Sequence, residues 1–326
     1  MLFSVAICTY NPRPDYLARV LAALRAQTLP VSQWELLLID NASTTTTARE
    51  TDLTWHPAAR LISEPTPGVI HARLRSIAEA AGEILVFVDD DNILVPNYLE
   101  EAARIGRDCP FLGAWGAGNI AAEFETPPPA WTEQFSSQLA ICSCTRDNWA
   151  NTLGPGNTPI GAGLCTRLPL ARAHVRDLQA HPARLAMGRT GSPLTSASTV
   201  SSSPVTPTQP RKGIVIGGED IDLVITVIEL GHGLGRFASL RLTHLISANR
   251  LTEPYLCRLA EAQSYTEAWL FHHRNYPLST EPNSFFHRLA RWRYERTLDP
   301  RIRHVLEAVR RGRALALEEI ARLPAA

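Results

Sequence analysis

Ten residues, Glu83 to Asn92, read Glu-Ile-Leu-Val-Phe-Val-Asp-Asp-Asp-Asn and constrain this chain more than any other stretch. Ile84 to Val88 are all apolar, and a short continuous run of branched and aromatic side chains predicts a strand buried on both faces. Asp89, Asp90 and Asp91 stand in a row at its carboxyl end. Adjacent carboxylates repel one another, so an enclosed site must raise their pKa values or supply a counter-cation. A hard divalent ion, held by one or two carboxylates and a substrate's phosphates, is such a cation. Ligands of open parallel sheets bind beyond the carboxyl ends of the strands. The competing reading is an acidic turn that caps the next helix, and the surrounding chain decides between them.

That surrounding pattern alternates strand and helix. Phe3 to Cys8 is expected to be a first strand rather than part of a signal peptide, because no basic residues precede it. It ends at Thr9-Tyr10-Asn11-Pro12. Leu17, Val20, Leu21 and Leu24 then recur at helical spacing, with Asp15 as the expected N-cap. Trp34 to Ile39 predicts a second strand that terminates at Asp40-Asn41-Ala42-Ser43. Leu61-Ile62 predicts a short third strand, and Val69 to Ala81 a helix leading into the acidic strand. This order is an α/β doubly wound half, and it sets Asp40 on the same sheet edge as Asp89 to Asp91. Arg73 lies on the helix that enters the acidic strand. It is either a fixed cation near a base carbonyl or a phosphate, or an ordinary solvated arginine. Neither a Gly-x-Gly-x-x-Gly nor a Gly-Lys-Ser/Thr loop occurs after the first strand, which weakens dinucleotide and phosphate-loop readings.

Composition narrows the class further. A chain of 326 residues can form one large domain, or a catalytic domain with an appendage. Its 32 basic and 32 acidic residues balance, so nothing global draws it to nucleic acid. Six cysteines occur without a Cys-x-x-Cys pair, and Cys8 and Cys165 sit in apolar runs. Buried thiols in a reducing compartment are expected, not disulfides. No apolar run reaches the roughly 20 residues that span a bilayer.

Four segments together carry a family resemblance: Cys8-Thr9-Tyr10-Asn11, Ile39-Asp40-Asn41-Ala42-Ser43, His71-Ala72-Arg73 and Phe87-Val88-Asp89-Asp90-Asp91-Asn92. In order and spacing the chain resembles the inverting, nucleotide-sugar-dependent glycosyltransferases of the GT-A fold, family 2 type. That large bacterial group builds surface polysaccharides and glycoconjugates. The resemblance implies a GT-A catalytic domain over residues 1–250, with a nucleotide-binding half at 1–110 and an acceptor half at 111–250. It implies a UDP-sugar donor, a glycan, lipid-linked or other hydroxyl acceptor, manganese or magnesium as cofactor, and a cytoplasmic chain at the inner face of the membrane. By the same resemblance Asp40 and Arg73 contact the nucleobase and Asp89 lies near the ribose. Thr9, Tyr10, Asn11 and Asp90 also line the nucleotide, and Asp91 holds the metal.

The second half should supply the acceptor side. Phe111 to Asn119 predicts a strand at the acceptor cleft. Gly161, Ala162 and Gly163, within Ile160 to Cys165, form either a glycine-bearing strand or, as the resemblance implies, a close backbone approach to the donor sugar. Gly191 to Pro210 is dominated by Ser, Thr and Pro and is expected to be a flexible insertion, with Lys212, the one lysine, at its end. Gly217-Gly218-Glu219-Asp220-Ile221-Asp222 precedes an apolar run, Ile221 to Leu230, that should be helical. Asp220 or Asp222 then serves the helix N-terminus, or Asp220 is the general base with Glu219 as alternate. His244 is either structural or, as the resemblance implies, a second metal ligand. Tyr255 to Phe271 predicts an amphipathic helix in a helical extension over 251–326. Phe285 to Arg303 interleaves aromatics with arginines, a composition that suits a solvated basic face or an anionic membrane surface. Two other functions fit less well: a nucleotidyltransferase on a similar sheet, and a nucleotide-sugar-binding module without turnover.

Overall fold

The computed structural model describes residues 1–185, 217–278 and 285–323. The segment Gly191 to Pro210 and Lys212 lie outside the described residues, as do the side chains of Phe285, Phe286 and Arg288. The chain divides into two compact units. The first comprises Met1–Glu125, Leu139–His181 and Glu219–Ile246; the second comprises Thr126–Gln138 with the described parts of Pro182–Gly218 and Ser247–Ala326.

The first unit opens with β1 (Phe3–Thr9), α1 (Pro14–Arg25), β2 (Trp34–Asn41), β3 (Ala59–Glu64), α2 (Val69–Glu79) and β4 (Ile84–Asp89). It continues with β5 (Asn92–Leu94), α3 (Tyr98–Asp108), β6 (Leu112–Phe124), β7 (Asn148–Ala150), β8 (Cys165–Arg167) and α4 (Leu168–Ala180). After α5 (Pro182–Leu185) of the second unit, α6 (Glu219–Glu229) and β9 (Gly233–Ile246) return to the first. The strands form one sheet in the order β3-β2-β1-β4-β8-β6-β9-β5, with β7 also paired to β9. The first four are mutually parallel. β8 runs antiparallel to β4 and β6, whereas β6 and β9 are parallel.

Alternation along the strands feeds two cores. Val5, Ile7, Leu36, Leu38, Val86 and Val88 face Leu17, Val20 and Leu24 of α1 and Leu99 and Ala102 of α3. Ala6, Leu37, Ile39, Leu85 and Phe87 face Ala72 of α2, Ala171 of α4 and Val224 of α6. Both faces of the sheet are therefore covered, as the continuous apolar strands require. Glu35, 3% exposed, ties the lower ends together. Its carboxylate accepts from Ser4 Oγ at 2.6 Å, Ala81 N at 2.7 Å and Arg60 Nη2 at 3.0 Å.

The helix starts differ from expectation in one place. α1 begins at Pro14 with Arg13 at its N-cap, and Asp15 lies inside the first turn, 2.7 Å from Arg13 Nη2. Pro14 fixes the entry angle without any side-chain cap, which leaves Asp15 to the helix dipole and its neighbour. All six cysteines are free, and Cys165 is fully buried.

In the second unit, α7 (Glu253–His273), α8 (Phe285–Glu295) and α9 (Pro300–Ile320) follow one another. α7 is not a surface amphipathic helix. Ala260, Ala262, Tyr265, Thr266, Ala268, Trp269 and Leu270 are all buried, and these positions run around the helix. The basic aromatic run Phe285 to Arg303 is broken at Asp299, whose side chain accepts from Arg301 N at 2.9 Å and caps α9. Gly312 on α9 faces the backbone of α7, where an added Cβ would fall on the Glu261 carbonyl. The Gly312→Ala variant is expected to push the two helices apart and cost about 1–3 kcal/mol, read as a lowered midpoint in urea unfolding. An unchanged midpoint would show that the helices yield without cost.

Candidate active site

Strand register brings the acidic residues into one row. Thr9 pairs with Asp40 across β1 and β2, and Cys8 pairs with Asp89 across β1 and β4. The Thr9 hydroxyl donates to the Asp90 carboxylate. Tyr10, just beyond β1, is 47% exposed, which leaves its ring open at the rim.

Two loops close this rim by bonding to each other. Asn11 and Ala42, after β1 and β2, both adopt left-handed backbone, with φ of 48° and 55°. Asparagine tolerates that region; for alanine the cost is about 1 kcal/mol. Cross-loop bonds hold the geometry: Asn11 N donates to Ser43 Oγ at 2.9 Å, and Asn11 Oδ1 accepts from Thr44 N at 2.8 Å and Thr45 N at 3.1 Å. Ser43 N in turn donates to Asp40 Oδ1 at 3.2 Å. The Asn11 side chain thus builds the rim. Asp40 is 5% exposed, and Arg49 Nε lies 3.6 Å from its second oxygen.

Arg73 stands under the acidic row. It is 8% exposed, with Nη1 at 3.2 Å from Glu219 Oε1 and Nη2 at 3.7 Å from Asp89 Oδ1. Its guanidinium lies 4.9 Å from the centroid of the Phe87 ring. Asn41 anchors the helix that carries it: Asn41 Nδ2 donates to Thr66 O at 2.7 Å, and Oδ1 accepts from Gly68 N at 2.9 Å. Gly68, with φ of 129°, is the N-cap of α2. Burial pushes the Glu219 carboxyl above the usual carboxylate range, against the pull of Arg73. It likewise pushes the Cys8 thiol up to about 12, which makes that cysteine inert filling behind the site.

The two members of the acidic pair have different surroundings. Glu219 is buried, and among the described residues its Oε2 has no hydrogen-bond partner. Asp220 is partly exposed. Its Oδ2 accepts from Gly161 N and its Oδ1 from Ile221 N, both at 2.9 Å. Gly161, Ala162 and Gly163 form a turn, not a strand; Gly163 has φ of 72°, and its carbonyl accepts from the buried Tyr98 hydroxyl at 2.7 Å. Tyr98 escaped sequence reasoning, its one signal being an aromatic at the start of the charged helix α3.

Asp91 and His244 meet because β5 runs antiparallel to β9. Asn92 pairs with His244, and Leu245 N donates to the Asp91 carbonyl at 2.8 Å. His244 Nε2 consequently lies 3.3 Å from Asp91 Oδ2, and His244 Nδ1 lies 2.9 Å from Leu139 O. A carbonyl only accepts, so Nδ1 carries a proton, and a neutral ring turns the Nε2 lone pair toward a carboxylate oxygen. A proton or a cation between the two atoms resolves that contact. Imidazole nitrogen with carboxylate oxygen is a donor set that fits a first-row divalent ion such as manganese. Among the described residues no three His, Cys, Asp or Glu side chains form a complete metal cage. Two protein ligands match an ion that completes its shell with phosphate and water. Asp89 lies within electrostatic reach of Arg73, Asp91, His244 and Asp220 together, and the packed atoms behind it push its carboxyl up.

Known proteins share this architecture. Residues 4–125 match the model of glycosyl transferase family 2. An uncharacterized glycosyltransferase, YwdF of Bacillus subtilis, is 28% identical over 104 residues, 32% of this chain and 38% of that protein. The glycosyltransferase AglE of Haloferax volcanii is 34% identical over 91 residues, 27% of this chain and 30% of that protein. The matched segments thus span little more than a third of these relatives at most. A solved mannosyltransferase, PcManGT from Pyrobaculum calidifontis in complex with GDP-Man and Mn2+, superposes with a TM-score of 0.54 at 17% identity. That match covers 98% of this chain and 74% of that protein. On these grounds the chain has the GT-A fold, and its segment 4–125 is similar to glycosyl transferase family 2.

Proposed function

We propose that this chain is an inverting glycosyltransferase that moves a sugar from a nucleoside diphosphate donor to a hydroxyl acceptor. The observation that carries the reading is the division of labour among the carboxylates around Asp89. Asp91 faces an imidazole nitrogen at 3.3 Å, while Asp220 keeps a partly exposed carboxylate oriented by the Gly161 N–H. In the reaction Asp220 takes the proton of the acceptor hydroxyl. The acceptor oxygen attacks the anomeric carbon, and the bond from that carbon to the diphosphate oxygen breaks on the opposite side. The nucleoside diphosphate leaves with the electron pair, and the configuration inverts. Glu219 is a poorer base because it is buried against Arg73. Asp40, Thr9, Tyr10 and Asp90 surround the nucleotide, with Asn11 acting through the rim.

Asp91 and His244 would hold a divalent cation, manganese or magnesium, which when bound supplies positive charge beside the diphosphate oxygens. A uridine diphosphate sugar is the donor to test first. Calorimetry with uridine diphosphate should show affinity at least about tenfold weaker under chelation, and the same loss in Asp91→Ala and His244→Ala with manganese present. Equal affinity in all four measurements would refute the metal role. Asp220→Asn keeps the shape but removes the proton acceptor, so turnover should fall roughly 10²-fold while nucleotide affinity shifts by less than about 1 kcal/mol. If Glu219→Gln abolishes transfer of labelled sugar and Asp220→Asn does not, the base is the other carboxylate.

The acceptor is proposed to be a glycan or lipid-linked hydroxyl, with the chain working at the cytoplasmic face of a membrane. Among the described residues no helix is long and apolar enough to span one. Residues 285–303 hold six arginines against two acidic residues, a net charge of +4 in a chain whose total is zero. Trp292 and Tyr294 are 53% and 63% exposed there, and the Arg296 guanidinium lies 4.7 Å from the centroid of the Trp292 ring. Aromatics exposed beside arginines suit the headgroup region of anionic lipid. The protein should sediment with phosphatidylglycerol vesicles and not with phosphatidylcholine vesicles, and a Trp292→Ser/Arg293→Glu variant should lose that binding. Equal behaviour toward both vesicle types would remove the membrane from the proposal.

A further inference from the structure

We propose that Arg73 is a positioning residue: it ties the donor-side carboxylate Asp89 to the acidic pair opening α6, and so sets where Asp220 presents its oxygen. The proposal rests on the reading of Asp220 as the base. The family resemblance implies a nucleobase contact for Arg73; its contacts here support the positioning role instead. Its two terminal nitrogens already face carboxylates on different elements, Glu219 at 3.2 Å and Asp89 at 3.7 Å. The aromatic ring of Phe87 lies against the guanidinium, and only 8% of the residue meets solvent.

Gly161 completes the link. A Cβ there would stand 2.7 Å from Arg73 Nη2 and 3.0 Å from Asp220 Oδ2, so the absence of a side chain lets both groups close onto one backbone position. The same residue's N–H donates to Asp220 Oδ2 at 2.9 Å. Asp89, Arg73, Glu219, Asp220 and Gly161 therefore form one continuous polar chain from the end of β4 to the start of α6.

Removing the guanidinium would leave Glu219 buried without its partner. It must then take up a proton or turn outward, and in either case the first turn of α6, which carries Asp220, loses its tie to α2. Lysine matches the charge but not the fork, because one ammonium cannot face two carboxylates on separate elements with fixed geometry. The role is thus specific to arginine.

Hydrogen exchange read by mass spectrometry tests this without requiring turnover. In Arg73→Lys, peptides containing Gly161 and Glu219 to Leu223 should exchange at least about tenfold faster, with the peptide spanning β2 unchanged as the measure of an intact fold. Gly161→Ala keeps the cation but displaces both neighbours, and it should give the same local change; it serves alone if Arg73→Lys does not fold. With a nucleotide-sugar, kcat should fall about tenfold or more in both variants while donor KM moves less than about threefold. Unchanged exchange at both peptides overturns the positioning role. Nucleotide affinity falling in step with kcat also overturns it, since Arg73 would then be a nucleotide contact. Faster exchange in a protein whose wild type transfers no sugar keeps the Arg73 linkage and overturns the glycosyltransferase reading instead.

Discussion

Parallel pairing of β1 with both β2 and β4 is the constraint on which the site depends. Side chains along a strand alternate, so a slip of one residue would turn Asp40 or Asp89 to the opposite face of the sheet, away from its present partners. The registers Thr9 to Asp40 and Cys8 to Asp89 prevent that. They are held by residues far from any chemistry, since Val5, Ile7, Leu36, Leu38, Val86 and Val88 must all reach one core, and Ala6, Leu37 and Phe87 the other. The position of the acidic row is thus a by-product of hydrophobic burial.

Placing so many carboxylates together raises an electrostatic problem, which the molecule resolves differently for each. Asp40 has the loop N–H of Ser43 and the Arg49 guanidinium. Asp90 has the Thr9 hydroxyl, Asp91 the His244 ring, and Glu219 and Asp89 share Arg73. Attraction at an effective dielectric near 20 is worth about 4 kcal/mol at 4 Å, enough to offset much of the desolvation of a buried carboxylate but not all. The raised Glu219 carboxyl fits that balance: burial outweighs its arginine. A nucleotide diphosphate adds more negative charge, so the acidic row cannot bind one by attraction alone. The His244 ring, with Nε2 3.3 Å from Asp91 Oδ2, stands at the far end of the cluster from Arg73.

The sequence disclosed the parts of this arrangement that depend on local pattern. The buried strand Ile84 to Val88, the acidic residues after it, and Asp40 on the same edge all follow from periodicity and the rule for strand ends. Less readable was anything decided by a partner distant in the chain. Asn11 and Ser43 join two loops through left-handed turns, one of them at Ala42, where no glycine gives warning. Tyr98 reaches Gly163 across 65 positions, and the Leu139 carbonyl that fixes the His244 tautomer lies 105 positions from its ring. Periodicity also misjudged α7, because its buried residues, small alanines among them, are spread round the helix and do not form one apolar face.

Adjacent residues with the same functional group have different environments here because a helix start turns them in different directions. Glu219 points back under the sheet edge to Arg73, whereas Asp220, one residue later, bonds to Gly161 N and remains partly in solvent. Their separation of about 100° around the helix axis is the geometric cause. A buried carboxyl with an elevated pKa beside a fixed cation is suited to holding structure. A carboxylate oriented by two backbone N–H groups, with access to solvent, is suited to meeting a hydroxyl. The choice between the two depends on Arg73 and Gly161, neither of which carries a carboxylate, and on α6 beginning where it does. The same pair one residue later in the helix would put the glutamate where Asp220 stands and turn the aspartate to the position of Ile221, away from Arg73 and Gly161 alike.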